Sequence, residues 1–242
     1  MRTIALHGFL GLPSDWSHTG LDVEAYDVWK SVVRINGRPG GVAKDNAYEA
    51  WAKQFASDIR ASGSGPVVLF GYSLGGRLAM HALLEAPELF ERAVIVSAHP
   101  GLSSEHEKRD RVASDRVWAD RFLRDPWSIL MKAWNVQPVL APPSNPAPDF
   151  VQLDRPESAF SRESLAFALD SWSLGRQKDL RQRIRECEVP MRFVSGQLDT
   201  KFTSLLGDFA GIDLKVVPQA GHRVPWDHPK GFRDATDEFL EG

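Results

Sequence analysis

The pentapeptide Gly71-Tyr72-Ser73-Leu74-Gly75 constrains this chain more than any other stretch. Ahead of it runs Pro66-Val67-Val68-Leu69-Phe70, a short apolar segment that reads as an inner strand of a parallel sheet. Behind it runs Gly76-Arg77-Leu78-Ala79-Met80-His81-Ala82-Leu83-Leu84, a sequence of good helix formers. A tight turn from strand to helix crowds backbones together, and glycine at 71 and 75 removes the Cβ atoms that would collide there. In that frame the Ser73 hydroxyl stands clear of the sheet at the positive end of the following helix, which is the arrangement of a nucleophile elbow.

The rest of the chain supplies the layers such an elbow needs. Strands are expected over residues 2–6, 66–70, 92–97, 190–195 and 214–217, with a weaker strand over 28–35. Helices are expected over 46–61, where Trp51, Phe55 and Ile59 share one face, over 74–86, near 203–209 and from about 229 to 240. Repeated β-α alternation predicts an α/β protein with a mostly parallel sheet covered on both faces. Residues 101–187 break the rhythm with charged helical segments (104–124, 126–134, 162–172, 179–185) and a proline-rich link from Pro138 to Pro148. The expected organisation is a core of residues 1–100 and 188–242 with a helical cap or lid, 101–187, over the sheet end where Ser73 emerges.

Composition excludes several function classes. A formal net charge of -3 gives no electrostatic footprint for nucleic acid or for an anionic membrane. Cys187 is the single cysteine, which rules out an intramolecular disulfide and a thiolate metal cluster. The apolar run at the start is broken by His7 too early for a signal peptide, and no stretch reaches the length of a membrane span. The expectation is a cytoplasmic enzyme that needs no cofactor or metal, with a small molecule as its partner.

A serine hydroxyl becomes reactive when a histidine takes its proton and a carboxylate orients that histidine. In the α/β-hydrolase fold these groups follow the chain order serine, acid, histidine. Asp199 ends Ser195-Gly196-Gln197-Leu198-Asp199 just past one expected strand, and His222 ends Ala220-Gly221-His222 just past the next. Asp208, Asp213 and Asp227 are rival acids and His228 a rival histidine, but none follows a strand as well. His7-Gly8-Phe9, after the first strand, is placed to supply an oxyanion hole from the backbone N–H groups of Phe9 and Leu74. The sheet is expected to lack the first two strands of a full α/β-hydrolase, since the chain starts directly at this strand.

The motifs are also more specific than the fold. Leu6-His7-Gly8-Phe9-Leu10-Gly11, Asp15-Trp16 and Gly71 to Arg77 resemble the 2-succinyl-6-hydroxy-2,4-cyclohexadiene-1-carboxylate synthases of menaquinone biosynthesis. The likeness continues through His99-Pro100-Gly101-Leu102, Ser114-Asp115-Arg116, Trp118, Arg121-Phe122-Leu123, Trp134, Gln137-Pro138-Val139, Ser173-Leu174, Asp179-Leu180 and Asp199-Thr200-Lys201-Phe202. It covers most of the chain, the insertion included. The resemblance implies a lyase: Ser73, with His222 and Asp199 behind it, removes a proton from a cyclohexene polycarboxylate and pyruvate is eliminated. It further implies that Arg77, Arg111 and Lys201 hold substrate carboxylates and that Trp134 and Tyr72 line the pocket.

The chain departs from that pattern at 35–41, at Asn135 where a tyrosine is expected, and at Arg223-Val224-Pro225-Trp226-Asp227, where a second histidine and a glutamate are usual. Either Arg155 or Arg162 could be a further insertion arginine. The alternative reading is a carboxylesterase or thioesterase acting on a small acyl compound, because this fold hosts many chemistries.

Overall fold

A computed structural model describes residues 2–36, 44–63, 65–140 and 155–241. Six strands form one sheet, β1 (Thr3–Leu6), β2 (Glu24–Tyr26), β3 (Val67–Tyr72), β4 (Phe90–Val96), β5 (Met191–Gly196) and β6 (Asp213–Val217). Their spatial order is β2-β1-β3-β4-β5-β6 and every pairing is parallel. The chain therefore steps from β1 to β2 on one side and returns to β3 on the other. Ligands bind at such a reversal, beyond the carboxyl ends of the strands.

Side chains alternate across the sheet, as the two-residue period of a strand requires. Val67 and Leu69 of β3 face one core with Ile4 and Leu6, whereas Val68 and Phe70 face the other with Ala5 and Val94. The first core is closed by α1 (Val28–Asn36), α2 (Ala47–Ala61) and α3 (Leu74–Glu85), the helices that carry Val32, Trp51, Phe55 and Leu78. The second is closed by Trp16, by Val224 and Trp226, and by Phe232.

The expected strand over 28–35 is helix α1, and the strand beside β1 is the shorter Glu24–Tyr26. The β-branched run suggested a strand. Asp27 decides otherwise, because its Oδ1 accepts from the backbone N–H groups of Trp29 (3.0 Å) and Lys30 (3.2 Å), satisfying two donors of a first helical turn. Most of the departure at 35–41, and residues 141–148 of the proline-rich link, lie outside the described residues.

Between β4 and β5, which are neighbours in the sheet, the described chain is helical: α4 (Glu105–Arg124), α5 (Trp127–Asn135), α6 (Arg162–Ser171) and α7 (Arg181–Glu186). Ser104 and Ser161 cap α4 and α6 with their hydroxyls. Phe122, Leu130, Leu165 and Trp172 join these helices to the first core. The two ends of the excursion are fastened together, with Leu180 N–H donating to Pro100 O at 2.8 Å. Gly101 adopts φ +122° there, and a Cβ on it would lie 2.3 Å from the Lys178 carbonyl. After β5 come α8 (Thr200–Gly207), then α9 (Val224–Asp227) and α10 (Pro229–Glu241) beyond β6. No helix among the described residues is long and apolar enough to cross a membrane.

Candidate active site

Ser73 sits between β3 and α3 with φ +52° and ψ −111°, a backbone conformation that costs free energy for a residue with a side chain. The neighbourhood holds it there. Ser73 N–H donates to Val96 O of β4 (2.9 Å), and Arg77 N–H donates to Ser73 O (3.1 Å). The flanking glycines are required by close approach. A Cβ on Gly75 would lie 2.4 Å from Leu6 O, and one on Gly71 would lie 2.7 Å from Gly75 O.

Asp199 and His222 reach Ser73 from the ends of the next strands. Gln197 N–H donates to Val217 O and Leu198 N–H to Ala220 O, both at 2.9 Å, so the loops after β5 and β6 are laced together. His222 Nδ1 lies 2.6 Å from Asp199 Oδ2, and His222 Nε2 lies 3.2 Å from Ser73 Oγ. With its Nδ1–H given to the carboxylate, the imidazole offers Nε2 as acceptor for the serine proton. Asp199 and His222 are both buried, and the rings of Phe202 (4.8 Å) and Tyr72 (5.7 Å) pack against the imidazole. The second Asp199 oxygen accepts from Phe202 N–H and caps α8. The rivals are occupied elsewhere: Asp213 pairs with Arg192, Asp227 Oδ2 accepts from Gly221 N–H (2.9 Å), and His228 Nδ1 accepts from Gly231 N–H.

Register brings Phe9 and Leu74 to the same place. Leu6 at the end of β1 stands opposite Gly71 of β3, so Phe9 and Leu74 emerge side by side and both line the cavity. Leu74 opens α3, and its N–H is one of those a helix leaves without an internal acceptor. His7 is buried beneath the turn. Its Nε2 accepts from Val28 N–H (3.2 Å) and its Nδ1–H donates to Gly8 O (3.0 Å), which binds the turn to α1. Burial lowers its pKa, so it stays neutral in this role.

These groups face a cavity of about 480 Å³, which Tyr72, Arg77, Arg111, Trp134 and Lys201 also line. Arg77 is half-buried, and its Nη1 donates to the Tyr48 hydroxyl and to Trp172 O (2.9 Å), with no carboxylate bonded to it among the described residues. Arg111 on α4 donates from Nε to both oxygens of Asp115 (2.9 and 2.8 Å), which also accepts from Ser173 Oγ. Lys201, near the start of α8, has no bonded partner among the described residues. Trp134 packs on Phe9 (4.9 Å) and Trp118 (5.0 Å), making an apolar wall of the cavity. Burial pushes the Tyr72 hydroxyl pKa up.

Three further residues belong to the cavity region: Tyr48, which no sequence motif marks, His99 from the His99-Pro100-Gly101-Leu102 motif, and Arg155, one of the two candidate insertion arginines. Tyr48 on α2 holds Arg77; its hydroxyl donates to Trp172 O (2.7 Å) and burial pushes its pKa up to about 12, so it stays neutral. His99, three residues past β4, lines the cavity and accepts from Gly101 N–H on Nδ1 (3.0 Å). Burial, with the charges of Arg181, Arg77, Lys201 and Arg111, pushes it down to about 3, which keeps it neutral. Arg155 lines the cavity and pairs with Asp15 (2.8 Å), whereas Arg162 is spent on Phe122 O, Asp125 O and Glu157 within the insertion.

A buried acid–imidazole–serine relay at the reversal point of a parallel sheet defines a serine-centred enzyme of the α/β-hydrolase class. The model of the alpha/beta hydrolase family matches residues 4–235. A 2-succinyl-6-hydroxy-2,4-cyclohexadiene-1-carboxylate synthase of Serratia proteamaculans (strain 568) is 32% identical over 240 residues, covering 98% of this chain and 92% of the relative. One of Klebsiella pneumoniae (strain 342) is 31% identical over 229 residues, covering 93% and 88%. Among solved structures, MenH from S. aureus superposes with a TM-score of 0.79 at 18% identity over 99% of this chain and 93% of that one. The chain belongs to the 2-succinyl-6-hydroxy-2,4-cyclohexadiene-1-carboxylate synthase family, within the alpha/beta hydrolases.

Proposed function

We propose that the enzyme is a lyase that eliminates pyruvate from a succinyl-cyclohexene polycarboxylate to give 2-succinyl-6-hydroxy-2,4-cyclohexadiene-1-carboxylate. Near-full-length likeness to synthases of that name supports this reading. The observation in the site that carries it is a serine–histidine–aspartate relay opening into a cavity that also collects Arg77, Arg111 and Lys201. Such a set of cations suits a substrate with several carboxylates and would be costly to desolvate beside an uncharged acyl group.

In this reading Ser73 acts as a base. His222, oriented by Asp199, accepts the Ser73 proton, and Ser73 Oγ takes the proton from the carbon beside the succinyl ketone. The N–H groups of Phe9 and Leu74 stabilise the negative charge that develops on the ketone oxygen. That electron pair forms the new ring double bond and expels the carbon–oxygen bond to the three-carbon group. The departing enolate takes up a proton and leaves as pyruvate. The insertion, residues 101–187, serves as a cap that brings Arg111 and Trp134 over the sheet. The working compartment is the cytoplasm.

Coupled detection of pyruvate from the cyclohexene intermediate tests the reading. Release by the intact enzyme, and its loss in Ser73→Ala, is the expected result. No release above that variant, together with rapid burst labelling of Ser73 by an activated ester, would replace the lyase by a hydrolase.

A further inference from the structure

Two of the positions where the chain departs from the synthase pattern meet in space. Arg223, directly after His222, points its Nη2 at Oδ1 of Asn135, directly after Trp134 on α5, at 3.5 Å. Both residues line the cavity. That distance is at the limit of a hydrogen bond, and Asn135 carries no charge. No carboxylate among the described residues is bonded to Arg223. Asp227, buried four residues on, lies within electrostatic reach of Arg223, but its Oδ1 has no hydrogen-bond partner and the two form no ion pair.

The surroundings show where that charge acts. Arg223 lies close enough to Arg155 to work against its protonation, and close enough to the Tyr72 hydroxyl to ease its ionisation. Arg77, Arg111 and Lys201 act together on His99 instead. The cavity thus holds two groups of cations carried by different parts of the chain. In the second group Arg155 pairs with Asp15, whereas Arg223 has the Asp227 carboxyl within electrostatic reach and no carboxylate bonded to it among the described residues. Two guanidiniums brought together in a partly buried site repel, and an anion between them reverses the sign of that interaction.

We propose that Arg223 is a further substrate-positioning residue of this enzyme, forming with Arg155 a second anion subsite that takes one carboxylate of the substrate on the His222 side of the cavity. The inference rests on the polycarboxylate reading above. On binding, Arg223 exchanges its long contact with Asn135 for a charge-assisted pair with the carboxylate. Asparagine in place of a tyrosine at 135 leaves the guanidinium a weak partner that a carboxylate displaces.

Steady-state pyruvate release by the wild type, Arg223→Gln, Arg223→Lys and Asn135→Ala tests this, with thermal melts to verify folding. Arg223→Gln should raise KM about 10- to 100-fold with kcat changed by no more than a few-fold, the size expected for one lost charge-assisted bond. Arg223→Lys should recover part of that loss, and Asn135→Ala should move KM less than Arg223→Gln does. An unchanged KM in Arg223→Gln overturns the subsite. So does an equal loss in Asn135→Ala, which would mean that Arg223 merely pins α5 to the core. Succinate serves as a probe that needs no turnover. Calorimetric binding to Ser73→Ala that weakens about 10-fold or more on adding Arg223→Gln supports the subsite even if the wild type releases no pyruvate. Equal succinate affinity in the two overturns it while leaving the reaction intact.

Discussion

Arg77 is held by Tyr48: the half-buried guanidinium donates to the Tyr48 hydroxyl, and that hydroxyl donates in turn to Trp172 O at 2.7 Å. A cation otherwise free to swing is thereby fixed one helical turn beyond Ser73. Tyr48 stays neutral, so it orients the charge without cancelling it.

Tyr48→Phe removes the acceptor and keeps the ring. It should raise KM for the polycarboxylate about 3- to 10-fold with kcat nearly unchanged, and lower stability by about 1–3 kcal/mol, since the hydrogen bonds to Arg77 and Trp172 O are both lost. Steady-state pyruvate release and urea unfolding measure the two effects. A fall in kcat with KM unchanged would show that Arg77 acts on the reaction and not on binding.

Asp199→Asn separates charge from structure. The amide oxygen can still cap α8 toward Phe202 N–H, so the fold should survive. The imidazole loses its anionic partner and the tautomer that leaves Nε2 free, and kcat should fall by roughly 10²- to 10⁴-fold. Pyruvate release read beside an unchanged circular-dichroism spectrum checks this.

Gly75→Ala tests the crowding under the elbow. The new methyl would stand 2.4 Å from Leu6 O and 2.6 Å from His7 O, and neither is the end of a flexible side chain. Overpacking of this kind costs about 1–3 kcal/mol, or roughly 2–12 °C in Tm for a chain of this size. Scanning calorimetry reads the shift, and activity should fall with it because β1 and the Phe9 donor are displaced.

Stability should fall on the acid side. His81 is stacked on Tyr48 at 4.4 Å with its Nε2 unpartnered, and burial lowers its pKa to about 4. An unfolded histidine takes up a proton near pH 6.5, about where its unperturbed pKa lies. Between there and about pH 4 the unfolded chain binds a proton that folded His81 refuses, so stability is full above this window and declines as pH falls through it. His81→Phe keeps the stacking and should flatten the decline by up to about 1.4 kcal/mol per pH unit. Denaturant titrations at stepped pH values give the slope, and an identical slope in both proteins would refute the assignment.

Much of this was legible in the residues. β1, β3 and the elbow follow from apolar runs ended by glycine, and the chain order of Ser73, Asp199 and His222 reflects strands whose ends share one edge of the sheet. The misread segment, 28–35, is β-branched, and the cue that overrides it is the single Asp27 side chain. Tyr48 could not be found this way, and His99 was marked by its motif without a role. Their places beside the cavity depend on how α2 packs against α3 and on Gly101 turning its N–H to an imidazole. Spacing could not choose between Arg155 and Arg162 either, because the choice lies in which one has backbone carbonyls within reach.

The clamp between Pro100 and Leu180, with Gly101 wedged against Lys178, has a consequence for how such an enzyme changes over time. Because β4 and β5 pair directly, the register of the sheet is set without the segment beyond that neck, which meets the core through side chains such as Phe122, Leu165 and Trp172. The helices past it can be rewritten, lengthened or exchanged while Ser73, His222 and Asp199 keep their register. The part of the cavity wall that holds Arg111 and Trp134 is then inherited on a different stretch from Ser73, Asp199 and His222, while Arg77 and Lys201 travel with the triad.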